Sequence, residues 1–96
     1  MVNQNGVFKS NGNAGNYVLI SLLRNGTNLS NFYQGNYTNS ALELLTGTAC
    51  VNLIDSPATT SATTYKTQFF NPNNTSNVAV QVNAAVSTIT LIEIGA

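Results

Sequence analysis

The chain has 96 residues, 43% of them hydrophobic and only 6% charged, with three basic residues, three acids and no histidine. That length fits one domain, residues 1–96, with a modest core. A net charge of zero leaves no electrostatic footprint for nucleic acid or an anionic membrane.

Val2 to Lys9 reads as a weak strand interrupted at Asn5-Gly6, and Asn11 to Asn16 as a loop. Tyr17 to Arg24 (YVLISLLR) is a strong strand, with Val18, Ile20 and Leu22 on one face and Leu19, Ser21 and Leu23 on the other. Asn25-Gly26 then signals a two-residue type I′ hairpin turn. Thr27 to Gln34 returns antiparallel, with Leu29 and Tyr33 expected on one face and Phe32 on the other.

Ser40 to Gly47 (SALELLTG) is ambiguous. Ser40 with Glu43 fits a capping box, but a seven-residue helix is marginal alone and a half-buried strand fits nearly as well. Thr48 to Asp55 reads as a strand with Ala49, Val51 and Leu53 on one face. Asp55-Ser56-Pro57 ends it, because proline cannot donate to a ladder. The Thr/Ser/Ala run that follows is a connection leading into the strand Tyr65 to Phe70. Asn71-Pro72 opens a turn. Asn77 to Asn83 alternates cleanly, with Val78, Val80 and Val82 inside. The last strand is Ser87 to Ile94 (STITLIEI).

Six or more short strands between Asn/Gly/Pro turns predict an all-β antiparallel sandwich or barrel. Crossover helices long enough for a parallel sheet are missing from the pattern. Leu19, Leu23, Phe70, Ile92 and Ile94 put apolar side chains on a second face, which a sandwich does not use for its own core. These five are the candidate oligomer interface. The first strand is poor and the set is short by one or two strands, so the sandwich reads as incomplete, with a neighbouring subunit completing it or the chain being a fragment.

Only 6% charge, against about 25% in an ordinary soluble protein, means solubility rests on neutral groups, chiefly 16 Asn and 12 Thr. Such a surface suits self-assembly, or contact with neutral ligands such as glycans. The single cysteine, Cys50, allows no intrachain disulfide and reads as a small core residue. No signal-peptide pattern opens the sequence, and its longest apolar run is too short to span a bilayer. A soluble chain made in a reducing compartment is expected, without membrane insertion.

The catalytic inventory is thin. Without histidine there is no Ser-His or Cys-His pair and no Cys/His zinc site. The spacing of Glu43, Asp55 and Glu93 does not suggest paired carboxylates. No enzyme, no metal and no cofactor is expected. Asp55 has two readings: a ligand contact at a loop, or a turn starter bonding nearby backbone amides, which is the favoured one. Tyr37, within GNYTNS, is the best candidate for an exposed ring that stacks on a sugar. Asn-X-Ser/Thr triplets arise by chance in so Asn- and Thr-rich a chain.

The series ISLLRNGTNL, DSPATTSATTYKTQF and STITLIEIGA resembles the C-terminal jelly-roll-like β-sandwich of tailed-phage structural proteins of fibre, receptor-binding or decoration type. Related domains look like the trimeric C1q/tumour-necrosis-factor sandwich. The resemblance covers Tyr17 to Ala96. It is most specific at Asp55-Ser56-Pro57 with Thr64-Tyr65-Lys66, and at Thr88 to Ile94. It implies a non-enzymatic virion component, a homotrimer or larger array with its last strand near the subunit interface, in contact with other virion proteins and a host-surface glycan. It departs at the front, where such domains carry another strand or two. Two alternatives stand beside it: a lectin-like receptor-binding module, and an extracellular bacterial filament subunit completed by a neighbour's strand.

Overall fold

A computed structural model describes residues 1–12, 16–35, 45–73 and 76–94. These residues form an all-β antiparallel structure of seven strands: β1 (Val2–Gly12), β2 (Val18–Arg24), β3 (Thr27–Gly35), β4 (Leu45–Val51), β5 (Tyr65–Phe70), β6 (Ser76–Ala79) and β7 (Thr88–Ile89). The one described helical element is a 3₁₀ turn at Val82–Ala84. No helix among the described residues is long and apolar enough to cross a membrane. The ambiguous SALELLTG segment resolves as strand from Leu45 onward; residues 40–44 lie outside the described set.

The strands make two sheets. One has the order β3-β2-β5. The other is centred on β1, with β4 along one edge and both β6 and β7 along the other. The sheets meet over a small core. Val7, Val18, Ile20 and Ala49 are buried in it, and Phe32, Tyr33, Val78 and Val80 pack against them. β2 pairs on both sides, with β3 and with β5. Four consecutive residues, Ile20 to Leu23, are buried.

The hairpin forms at Asn25-Gly26, where both residues have positive φ (48° and 84°), as a type I′ turn requires. β3 departs from simple alternation. The β2–β3 register shifts between Ile20 and Ser21, whose partners are Tyr33 and Asn31. Phe32 is the extra residue of this bulge, so it and Tyr33 both reach the core instead of pointing apart.

β1 is also bulged, at the predicted Asn5-Gly6 interruption. Gly6 has φ +60°, and a Cβ there would lie 2.7 Å from the Val82 amide nitrogen. This close approach admits the 3₁₀ turn, which is tied down by the Gln81 amide donating to the Asn5 carbonyl at 2.9 Å. Opposite the bulge, the strand expected over Asn77 to Asn83 stops at Ala79. Gln81, Asn83 and Ala84 are left-handed, and no ladder tolerates three such residues in six.

Two further strands end early. The one expected to reach Asp55 stops at Val51, and the one expected over Ser87 to Ile94 is confined to Thr88–Ile89. Both end where β1 ends: Val2 is opposite Val51 on one side and Ile89 on the other.

Candidate assembly site

Because β4 and β7 are both antiparallel to β1, they run parallel to each other. Beyond the level of Met1 each continues as an arm, residues 52–55 from β4 and 90–94 from β7, and both arms line one groove. Thr90 and Met1 exchange both backbone hydrogen bonds, at 2.8 and 2.7 Å. Among the described residues, no backbone–backbone hydrogen bond engages 52–63 or 91–94.

The groove has a volume of about 1650 Å³, and its walls include Met1, Leu22, Leu53, Tyr65, Leu91 and Ile94. It is larger than a small-molecule pocket, which holds about 300–1,000 Å³. Exposure follows the pleat. In phase with buried Val2, Leu53 and Leu91 are 44% and 64% exposed. Out of phase, Ile54, Ile92 and Ile94 are 88%, 83% and 83% exposed.

The first arm is anchored by side chains of the opposite sheet. The Asp55 carboxylate forms an ion pair with Arg24 and accepts a 2.7 Å hydrogen bond from the Tyr65 hydroxyl. The Tyr65 hydroxyl, with Arg24 and the Ser56 amide, holds the Asp55 carboxyl below the usual carboxylate range. The same bond raises the Tyr65 phenol. Further on, the Asn25 amide donates to the Thr64 carbonyl, and the Thr64 amide to the Asn25 side chain, both at 2.8 Å. The DSPATTSATT run is therefore a connection pinned at both ends to β2, its turn and β5.

A second polar cluster lies where β1, β5 and the approach to β7 meet. Gln4 is buried. Its amide donates to Ser87 Oγ at 2.7 Å and accepts from Thr67 Oγ1 at 3.1 Å. The Asn5 amide also donates to Ser87 Oγ, at 3.0 Å. The adjoining cavity, about 150 Å³, is polar and of a size for water rather than a ligand.

Of the five candidate interface residues, Ile92 and Ile94 stand on the second arm and are strongly exposed, and Phe70 is 41% exposed on an edge strand. Leu19 is half-buried. Leu23 corrects the expectation: it is buried. Asn28 and Lys66 flank it on the neighbouring strands, and side chains on both sides of a central strand close over a residue between them. Asp55 has both carboxylate oxygens engaged within the chain. Tyr37 and Glu43 lie outside the described residues. Cys50, read as a core residue, is exposed, because Ala49 takes the inward phase of β4. Sequence reading missed Arg24 and Tyr65 as holders of Asp55. With only three cations to neutralise three acids, the ion pair had few possible partners and could have been sought. No family model, curated protein or solved structure matches the chain.

Proposed function

We propose that this chain is a non-enzymatic structural module of a phage virion, of fibre, tail or capsid-surface type, built as a jelly-roll-like sandwich and acting by self-association. The observation that carries the assembly reading is the gathering of Leu53, Ile54, Leu91, Ile92 and Ile94, all exposed, on two arms whose backbone is unpaired among the described residues. A folded chain with so little charge has little electrostatic means of keeping copies apart. The virion assignment rests on the resemblance of DSPATTSATTYKTQF and STITLIEIGA to tailed-phage structural domains, which also supports a homotrimer or larger array and contacts with other virion proteins. The lectin-like alternative gains nothing from Asp55, whose carboxylate is committed to Arg24 and Tyr65.

Light scattering of the purified chain at micromolar concentration tests the assembly reading; an oligomer is expected and a stable monomer overturns it. Ile92→Asp should give soluble, folded protein of lower mass, because an 83% exposed side chain changes monomer stability by no more than about 0.5 kcal/mol. Insoluble aggregate would place Ile92 in an intrachain core instead.

A further inference from the structure

We infer that Asp55 is a latch. Its carboxylate, held by Arg24 of β2 and Tyr65 of β5, pins the connection 52–63 to the opposite sheet, and protonating it frees that connection while the sandwich stays folded. The connection carries Leu53 and Ile54, so the latch also regulates self-association; this second consequence rests on the assembly reading.

The first observation is how little else holds the connection. Among the described residues no backbone–backbone hydrogen bond engages 52–63. Its other side-chain bonds are local, between Thr59, Ser61 and Thr63. Burial holds little: Asp55 and Thr63 are half-buried and the rest of 52–63 is exposed. Among the described residues, Asp55 is therefore the one side chain of the connection bonded to another element. The far end is fixed separately, by Thr64 to Asn25.

The second is load. Ala58, directly after Pro57, has φ 50°, a left-handed conformation that a Cβ disfavours. Such strain persists where the surroundings impose it, and it gathers at switches. Between two pinned ends the chain has to turn at Ala58; a freed connection does not.

The third is electrostatic. Tyr65, Arg24 and the neighbouring Ser56 amide face the carboxylate. Lys66 is on the other face of β5, opposite Leu23. Across the groove stand Glu93 and Met1, whose nitrogen is bonded to the Thr90 carbonyl. All three facing groups donate, so they hold the charged carboxylate well and its acid form poorly. A protonated Asp55 gives up the ion pair and leaves the Arg24 side chain, 27% exposed, without a counterion; opening returns that charge to water. The carboxyl lies below the usual carboxylate range. The latch is therefore closed at neutral pH and opens as pH falls through that lowered value. Tyr65 donates only while protonated, and its phenol is raised by the Asp55 bond. A second limb therefore opens as pH rises through the raised value.

Pulsed electron paramagnetic resonance reads the connection directly, between nitroxides at Ser56→Cys and Gln34→Cys in a Cys50→Ser background. Circular dichroism follows the sandwich, and light scattering the mass. In monomer obtained by dilution, acid should broaden the 34–56 distance distribution before the circular dichroism changes. A Gln34→Cys, Gln68→Cys pair within one sheet should stay narrow. Asp55→Asn should already be broad at neutral pH, with the sandwich intact. Tyr65→Phe should move the acid transition to higher pH and abolish the alkaline one. A 34–56 distance that stays narrow until the whole sandwich unfolds overturns the latch, as does a narrow distance in Asp55→Asn. If Asp55→Asn does not fold, an acid transition that Tyr65→Phe leaves in place overturns it equally. Concentrating the protein into its oligomer should lower the pH of release, because association favours the closed form. An oligomer whose mass and release pH ignore each other overturns the regulation and leaves the latch. A monomer at every concentration overturns the assembly reading, and the latch then stands or falls with the 34–56 distance alone.

Discussion

Gln4→Met tests how the end of the sandwich that carries the arms is held. Methionine keeps the length and most of the volume of glutamine but can neither donate to Ser87 nor accept from Thr67. Gln4 is 3% exposed, so water does not simply replace the amide. Each lost hydrogen bond costs about 1 kcal/mol, and a hydroxyl left buried without a partner costs about 1–3 kcal/mol. Ser87 keeps the Asn5 amide, so the exposed debt falls on Thr67, and the neighbouring polar cavity has room for water to offset part of it. The expected loss is about 2 kcal/mol, which for a domain of this size lowers the melting temperature by about 10 °C. Urea or thermal unfolding followed by circular dichroism measures it, at fixed protein concentration because association adds to apparent stability. A double-mutant cycle with Thr67→Val should show coupling of at least about 0.5 kcal/mol. A loss under about 0.5 kcal/mol with no coupling would mean that the two sheets do not communicate through Gln4.

Gly6→Ala should cost about 2–4 kcal/mol in equilibrium unfolding: the positive φ alone costs about 1–2 kcal/mol, and the added carbon would meet backbone of the 3₁₀ turn at 2.7 Å. A neutral Gly6→Ala would mean that the bulge does not dock the turn. The Asp55 cluster should contribute stability within a bounded pH window. The carboxyl is lowered, so its contribution is present above the unfolded value near pH 4 and is lost as pH falls through the folded value. The Tyr65 phenol is raised, so its contribution is present below about pH 10 and is lost as pH rises through the folded value. Asp55→Asn should flatten the acid limb of the unfolding midpoint against pH, and an unchanged limb would place its cause elsewhere.

Local chemistry made part of the fold legible. The β2 strand, the Asn25-Gly26 turn, the Asn5-Gly6 interruption and the Pro72 turn all follow from side-chain period or from residues that tolerate special φ. Where the reading failed, the deciding interaction was not local. Phe32 and Tyr33 share the core because the β2–β3 register slips, and a slip is set by the partner strand. The valines after Ala79 keep their period while the backbone leaves the sheet, because β1 is bulged opposite them. Leu23 alternates onto the outer face and is buried there all the same, because β2 is central. For the candidate site, the sequence pointed to Ile92 and Ile94, but not to the groove they share with Leu22, Leu53 and Tyr65, which come together only through the pairing of strands distant in sequence.

The arms themselves show what kind of strand they are. A strand at the edge of a sheet is normally protected by charge, proline or a bulge. The edge strands of one sheet follow the rule: β3 (TNLSNFYQG) is polar along most of its length, and β5 carries Lys66. The arms do not. Leu53 with Ile54, and Leu91 with Ile92 and Ile94, put apolar side chains on both faces, the pattern of strands buried inside a structure. Their first polar interruption on the β4 side is Asp55, which turns inward to Arg24 and Tyr65 instead of guarding the edge. Among the described residues these segments have no ladder partner, so their apolar side chains face the groove and solvent instead of a sheet interior.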